Sequence, residues 1–202
     1  MILLPLGTYR YETRRPDAAT LIEEATVLAD RIRAVTRESA AQAVHRVDAA
    51  FDPSGSVHRL EITYTSSLFK RDAVYRADDE VFRATIRSLA GQSDLVVKRG
   101  RFGEVEVAEM AIFRAWLIAR VRARGQMRWT GRVAVIEAHS LVAASIKQSC
   151  RAEADGRRWL HEKRMGEAEE LVFDADGRLV TRRDRRGRED RLLSFTPASM
   201  PA

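Results

Sequence analysis

The sequence predicts a mainly β protein: an antiparallel sheet of about ten strands, curled into a barrel or half-barrel. Three hairpin turns carry this prediction, at residues 51–56, 154–157 and 174–178. Their Asp-Gly and Pro-Ser-Gly sequences supply the backbone angles that reverse a chain. Apolar and polar residues alternate on both sides of each turn, which is typical of half-buried strands. Many short strands at such intervals indicate a barrel or a sandwich.

Length and composition indicate one folded domain over residues 1–202, with a loose tail from about residue 196. Hydrophobic residues make up 45% and charged residues 32%, which excludes a mainly disordered chain. No apolar run approaches the roughly 20 residues of a spanning helix, so we expect no membrane span, and we see no signal peptide. A single cysteine, Cys150, allows no internal disulfide and favours a reducing, cytoplasmic location.

The formal net charge is +6, which is compatible with an anionic partner. Charges of both signs are dispersed along the predicted strands, and this argues against a nucleic-acid ligand. The stretch 182–191 mixes arginines with carboxylates and is predicted to be a solvated hairpin arm or an edge strand. Glu169 and Glu170 are expected to be exposed. The sequence does not determine the oligomeric state, and a homo-oligomer is one of the alternatives.

The first hairpin has a register that the side-chain pattern specifies. A slip of one residue would turn arginines into the core, so we expect the apolar faces to stay together. The predicted cross-strand pairs are Phe51 with His58, Ala49 with Leu60, Val47 with Ile62, and His45 with Tyr64.

Two segments are ambiguous between helix and strand. Residues 18–38 place apolar side chains at spacings of three and four after Pro16-Asp17, which slightly favours a helix. The same segment is rich in threonine, valine and isoleucine, which suit a strand. Residues 107–123 fit either a helix against the sheet or a long central strand.

No motif for a cofactor or a metal is apparent. Glycines in the stretch 100–103 lack the spacing of a phosphate-binding loop and are interpreted as a turn. The four histidines and Cys150 lack the local spacing of a metal site, so we predict neither metal nor cofactor. Cys150 is interpreted as an inert, buried residue.

His45, His58 and Tyr64 are the candidate catalytic residues, because the predicted register places them on one face of the sheet. An imidazole beside a phenol can serve in acid–base chemistry. The favoured alternative is that they are hydrogen-bonded core residues.

The preferred functional hypothesis is binding of a small lipid-like or acidic ligand in an apolar cavity inside the curved sheet. Arginines flank Trp129 in the strand, and guanidinium groups bind carboxylates and phosphates. An enzyme using His45, His58 and Tyr64 in the same cavity is the first alternative, and a basic nucleic-acid or anionic-partner module is the second. The predicted ligand-binding residues are Tyr64, Tyr75, Phe82, Trp129, Arg128 and Arg132.

Overall fold

The fold is described from a computed structural model over residues 4–16, 18–38, 42–78, 80–98, 104–163 and 167–199. These residues form fifteen strands and one helix. In chain order the elements are β1 (Gly7–Arg15), β2 (Ala18–Val27), β3 (Arg31–Glu38), β4 (Ala43–Phe51), β5 (Val57–Thr65), β6 (Lys70–Asp78), β7 (Val81–Ser88), β8 (Gly91–Lys98), β9 (Val105–Val107), α1 (Ala111–Ala123), β10 (Arg128–Ile136), β11 (Ala143–Ala152), β12 (Arg158–Lys163), β13 (Ala168–Phe173), β14 (Leu179–Asp184) and β15 (Glu189–Pro197).

All fifteen strands belong to one sheet, in the order β8-β7-β6-β5-β4-β3-β2-β1-β15-β14-β13-β12-β11-β10-β9. Two meanders meet in its middle, where β1 pairs with β15 and Gly7 lies opposite Pro197. The pairing is antiparallel except between β9 and β10, which run parallel. The chain therefore leaves the centre of the sheet along one meander and returns to it along the other.

The sheet is curled and not closed, and its connectivity requires the curl. β8 and β9 are the two edge strands, yet only seven peptide units separate Lys98 from Val105. Those units span at most roughly 25 Å. The edges of a flat fifteen-stranded sheet would lie roughly 67 Å apart at the usual strand spacing. The edges must therefore approach each other, and β8 lies beside β11.

Helix α1 fills the space that the curl encloses. Every residue from Ala111 to Val121 is buried. The helix has no glycine or proline inside it, and it ends in a Schellman motif at Gly125, whose φ is 67°. In this motif the N–H of Gly125 donates to the carbonyl of Arg122, and the N–H of Gln126 donates to that of Val121.

The amino end of α1 is held by a carboxylate from the sheet. Glu23 on β2 is buried and accepts hydrogen bonds from the backbone N–H groups of Ala111 and Ile112, at 2.6 and 3.1 Å. The residue before the helix, Met110, makes no side-chain cap. Glu23 therefore supplies the acceptor that the first turn lacks, in the position where the helix dipole favours negative charge.

The predicted fold class is confirmed, with corrections to its elements. There are fifteen strands among the described residues, against about ten predicted. The helix favoured over residues 18–38 is wrong: the segment forms β2 and β3, joined by a turn at 28–30. Buried positions alternate within β2 and within β3, as expected for strands. The turn between the two strands shifts this alternation, and the apolar residues of the whole segment then have spacings that resemble those of a helix. Of the two alternatives for 107–123, the helix is present from Ala111 onward.

The first hairpin confirms three of the four predicted pairs. His45 lies opposite Tyr64, Val47 opposite Ile62, and Ala49 opposite Leu60. The fourth pair is wrong, because an irregularity between Ala50 and Phe51 places Phe51 opposite Val57. This shift leaves His58 exposed instead of on the inner face.

One prediction about the C-terminal region also needs correction. The stretch 182–191 contributes to β14 and β15, which lie inside the sheet, and Arg182 Nε is 2.9 Å from Asp190 Oδ2 with both side chains buried. The last strand, β15, continues to Pro197. The predicted features at Asp17 and residues 100–103 lie outside the described residues.

The pH dependence of stability tests the Glu23 cap. Burial raises the pKa of Glu23 from 4.5 to about 7, although its two backbone hydrogen bonds oppose the shift. A carboxyl group with a raised folded-state pKa stabilises the fold below its unfolded pKa, and this contribution is lost as pH rises through 7. We expect Glu23→Gln to flatten the corresponding fall in the free energy of unfolding between pH 5 and pH 8, measured with urea. Glu24→Gln, on the exposed face of β2, is the control, and an unchanged slope in Glu23→Gln would contradict this role.

Candidate functional site

The structure brings together two of the three predicted catalytic residues and adds a third side chain. The rings of His45 and Tyr64 meet edge to face, with centroids 4.6 Å apart. His139, from the loop between β10 and β11, lies 5.8 Å from His45 and 5.3 Å from Tyr64. Phe69 packs on the other side of Tyr64 at 5.2 Å. His58 is exposed and takes no part in this cluster.

The loop that carries His139 is anchored across the inner face of the sheet. Backbone N–H groups of His139 and Ser140 donate to the Glu137 carboxylate, and Leu141 is buried with φ at 58°. The Tyr75 hydroxyl donates to the Leu141 carbonyl, and Arg71 Nη1 donates to the His139 carbonyl at 2.9 Å. The aromatic cluster is thus part of the contact between β10–β11 and β5–β6.

Electrostatics favour a neutral imidazole in this cluster. Burial, followed by the neighbouring His139, lowers the pKa of His45 to about 4. Among the hydrogen bonds of the described residues, none joins His45 to Tyr64. Ring packing is therefore the observed relationship between them.

The predicted ligand-binding residues fall on two faces of the sheet. Tyr75 and Phe82 are buried in the core, and α1 occupies the interior where we expected a ligand. Trp129 is also buried, against Gly131, where an added Cβ would lie 2.3 Å from the indole Cζ2. Arg128 and Arg132 project from the outer face. Arg128 and Trp129 nevertheless border one small cavity of about 200 Å³.

A larger cavity lies on the outer face of β10–β14. Its volume is about 730 Å³, and we call it the arginine groove. Ala152 and Leu160 supply apolar surface in it, and Glu153, Glu170 and Asp184 also border it. Trp159 lies at the same place in β12, but its side chain is buried in the core. The basic residues that define the groove are Arg128, Arg151, Arg158, Arg183 and Arg185.

The cations of this groove are unequally neutralised. Arg158 lies 3.7 Å from Glu170, and Arg183 pairs with Glu189 at 2.8 Å. Arg128 and Arg151 stand directly opposite each other on β10 and β11. Neither of them, nor Arg185, lies within 4 Å of a carboxylate of the described residues. Like charges directly opposite on a sheet repel each other, so this pair is destabilising as it stands.

Beneath the outer face lies a buried polar cluster, which we call the ionic network. Arg114 of α1 is its centre, with Nη1 2.5 Å from Glu106 Oε1 and Nε 3.0 Å from Glu169 Oε2. Lys163 Nζ lies 3.0 Å from Glu106 Oε1 and 3.6 Å from Glu169 Oε1. The network is completed by His161 Nδ1 at 3.3 Å from Glu169, His161 Nε2 at 2.8 Å from Gln148, and Gln148 Nε2 at 3.0 Å from Glu106.

The charges of the network stabilise one another. Burial would raise the pKa of Glu106, but Arg114 and Lys163 together lower it to about 2. The pKa of Glu169 is likewise well below its usual range, because Arg114 and Arg182 outweigh its burial. Burial lowers the pKa of His161, while its hydrogen bond to Glu169 opposes the shift.

Sequence reasoning missed this network. Glu169 was expected to be exposed, yet it is buried, and Glu106 and Arg114 were not singled out. One signal was present: Arg114 and Arg120 interrupt the apolar run from Ala111 to Val121. Charged residues are rarely fully buried unless they are paired, so an arginine there predicts a buried carboxylate partner.

Among the described residues, no group of three or more histidine, cysteine, aspartate or glutamate side chains is arranged to hold a metal ion. Within the same ranges, no helix has the length and apolar character needed to cross a membrane.

Comparison with known proteins supports the architecture. No protein-family model matches the chain, and no curated protein matches it. The structure is similar to the crystal structure of a DUF1089 family protein from Pseudomonas aeruginosa. The TM-score is 0.59 over 83% of this chain and 90% of that chain, with 17% sequence identity. At this identity the likeness concerns the fold alone.

Removal of the central arginine tests the ionic network. Arg114→Ala leaves Glu106 and Glu169 buried without their main partner, and breaking such a pair costs about 3–5 kcal/mol. We expect a loss of this size in the free energy of unfolding by urea denaturation. Arg122→Ala in the same helix changes an exposed arginine whose guanidinium lies 5.8 Å from the Phe173 ring, and should cost at most about 1 kcal/mol. Equal losses in both variants would contradict the network.

Acid sensitivity tests the burial of His45. A histidine with a lowered folded-state pKa contributes stability above its unfolded pKa, and this stability is lost as pH falls towards 4. In wild type, the unfolded chain takes up a proton on His45 as the pH falls below 6.5. The variant His45→Phe cannot do so, and we expect the midpoint of its unfolding transition to fall less steeply than that of wild type between pH 6.5 and pH 4. His58→Phe, at an exposed position, is the control. A slope identical to wild type in His45→Phe would show that His45 does not resist protonation.

Proposed function

We propose that this protein binds a small acidic ligand with an apolar portion, and that the ligand occupies the arginine groove. The observation that carries the proposal is the facing pair Arg128 and Arg151, which has no carboxylate within ion-pair distance among the described residues. A guanidinium pair of this kind matches a carboxylate or phosphate, which can accept hydrogen bonds from both.

The groove also has the surface and size for such a ligand. Ligand pockets typically combine apolar lining with a few convergent polar groups in roughly 300–1,000 Å³. Here a cavity of about 730 Å³ combines the partly exposed side chains of Leu160 and Ala152 with five arginines. The apolar portion of the ligand would lie on the strand β12 surface, and its acidic group would lie between β10 and β11.

The strands under the groove are well supported. β11 and β12 carry Gln148 and His161 inward, where the ionic network ties them to β9 and α1. A rigid scaffold keeps the outward arginines at a fixed spacing, which lowers the entropy lost when a ligand binds. The favoured location is therefore the outer face, whereas the sequence hypothesis placed the ligand inside the curl.

Native mass spectrometry and calorimetry test the proposal. The mass of the freshly purified protein, compared with its denatured mass, would show a retained ligand. Titration with decanoate, which has one carboxylate and an apolar chain, should show saturable binding, and decanol should bind more weakly. We expect Arg151→Gln to weaken decanoate binding by roughly tenfold or more, because a charge-assisted hydrogen bond is lost.

A matched arginine on the other half of the sheet provides the control. Arg76 lies directly opposite Arg59 and Arg83, but those two are paired with Glu61 and Asp78. Arg76→Gln should leave decanoate binding unchanged. Equal weakening by Arg76→Gln and Arg151→Gln would indicate a general charge effect, and absence of decanoate binding to wild type would overturn the proposal.

A further inference from the structure

Three turns at one end of the sheet expose apolar side chains. Leu68 lies in the turn between β5 and β6 and is 83% exposed; Leu89 lies in the turn between β7 and β8 and is 87% exposed. Val142, in the loop between β10 and β11, is 48% exposed. We refer to these three side chains as the apolar tips. Single exposed apolar residues are ordinary, but several at one end mark an interaction surface.

The register of the strands places these tips side by side. β6 and β7 are neighbours, and Arg71 at the start of β6 lies opposite Ser88 at the end of β7. The two turns that carry Leu68 and Leu89 are therefore roughly 10 Å apart, which is two strand spacings. The loop that carries Val142 also contains His139, whose carbonyl accepts a hydrogen bond from Arg71 Nη1 at 2.9 Å. This bond holds the loop against the start of β6.

The two leucines project from structured turns. The Ser66 hydroxyl accepts hydrogen bonds from the N–H groups of Leu68 and Phe69, at 3.3 and 3.2 Å. The Ser88 hydroxyl accepts one from the N–H of Ala90, at 3.2 Å. Turn tips usually carry glycine, asparagine, aspartate or proline, so leucine at both tips is not explained by the turns.

Cations surround the apolar tips. Arg87 and Arg71 have no carboxylate within 4 Å among the described residues, and Arg71 lies 4.8 Å from the Phe69 ring. Lys70 is paired with Asp72 at 3.3 Å. Burial would raise the pKa of the nearby Glu137, but hydrogen bonds from Ser140 and His139 lower it to about 2, so this carboxylate is negatively charged. Lys70, Arg71 and Arg87 outnumber the carboxylates of Asp72 and Glu137, and the net charge of these five side chains is positive.

We propose that this end of the protein attaches to the surface of a lipid bilayer that contains anionic lipids, with Leu68, Leu89 and Val142 entering the interface. Separate projecting side chains suit a bilayer, because it needs no pocket shaped to each of them. Arg71 and Arg87 would then contact the anionic headgroups, and combined apolar and electrostatic contributions are typical of peripheral attachment. This proposal is independent of the ligand proposed for the arginine groove, since the two use different residues.

Co-sedimentation with vesicles tests the attachment. The full chain should sediment with vesicles of equimolar phosphatidylserine and phosphatidylcholine, more weakly at high salt, and far less with phosphatidylcholine alone. The double variant Leu68→Ser, Leu89→Ser should lower the partition coefficient by roughly a hundredfold, about tenfold for each leucine. Both positions are exposed, so its thermal unfolding midpoint should match that of wild type.

The control is Leu193→Ser, which changes a leucine of β15 that is 47% exposed. It should bind the vesicles as wild type does. Equal sedimentation of the double variant and wild type would overturn the role of the tips, and equal binding to phosphatidylcholine alone would overturn the role of anionic lipid. Failure of wild type to bind either vesicle would overturn the proposal and direct the search to a protein partner.

Discussion

The short connection between the two edge strands is the constraint on which the rest of the structure depends. β8 and β9 stand at opposite edges of a fifteen-stranded sheet but are adjacent in the chain. The curl that this requires encloses a space too wide for the side chains of one sheet face to fill alone. Helix α1 occupies that space and is buried on all sides. The N–H groups of its first turn and the side chain of Arg114 therefore need partners within the protein.

Those partners come from different strands. Glu23 of β2 satisfies the first backbone N–H groups of α1, while Glu106 of β9 and Glu169 of β13 neutralise Arg114. Replacing a buried charge pair with apolar residues is often neutral or stabilising, so a network of this kind is weak evidence for stability as such. Its clearer consequence is geometric, because the three carboxylates determine where the helix can lie within the sheet.

The elements that sequence reasoning predicted correctly are those with local signals. Turn chemistry and alternation located the first hairpin, and three of its four pairs are correct because Val47, Ala49 and their partners share one buried face. The fourth pair was wrong because a bulge adds a residue without a distinctive sequence signal. The slight preference for a helix over residues 18–38 was wrong, because two strands joined by a turn can produce apolar spacings of three and four.

The candidate site was less predictable than the fold. His45 was placed opposite Tyr64 correctly, whereas Arg128 and Arg132 lie on the outer face and away from the interior in which the ligand was expected. The approach of His139 and the burial of Glu169 depend on contacts between distant parts of the chain, for which one sequence offers no local signal. The interior was predicted to be a cavity because the position of α1 could not be predicted. That α1 lies inside the curled sheet depends on the order of the strands, which the sequence does not reveal.

The pairing of β1 with β15 has a consequence for how the chain acquires its structure. β1 can form its hairpin with β2 early, but its other edge has no partner until β15 has been made, and Gly7 meets Pro197 only then. Until that moment the half-sheet from β1 to β8 presents a long row of free backbone groups, which is a template for pairing between molecules. Contacts between positions so distant in sequence also form slowly. Aggregation during synthesis is therefore the expected hazard of this topology, and chaperones that cover the open strand would be its natural remedy.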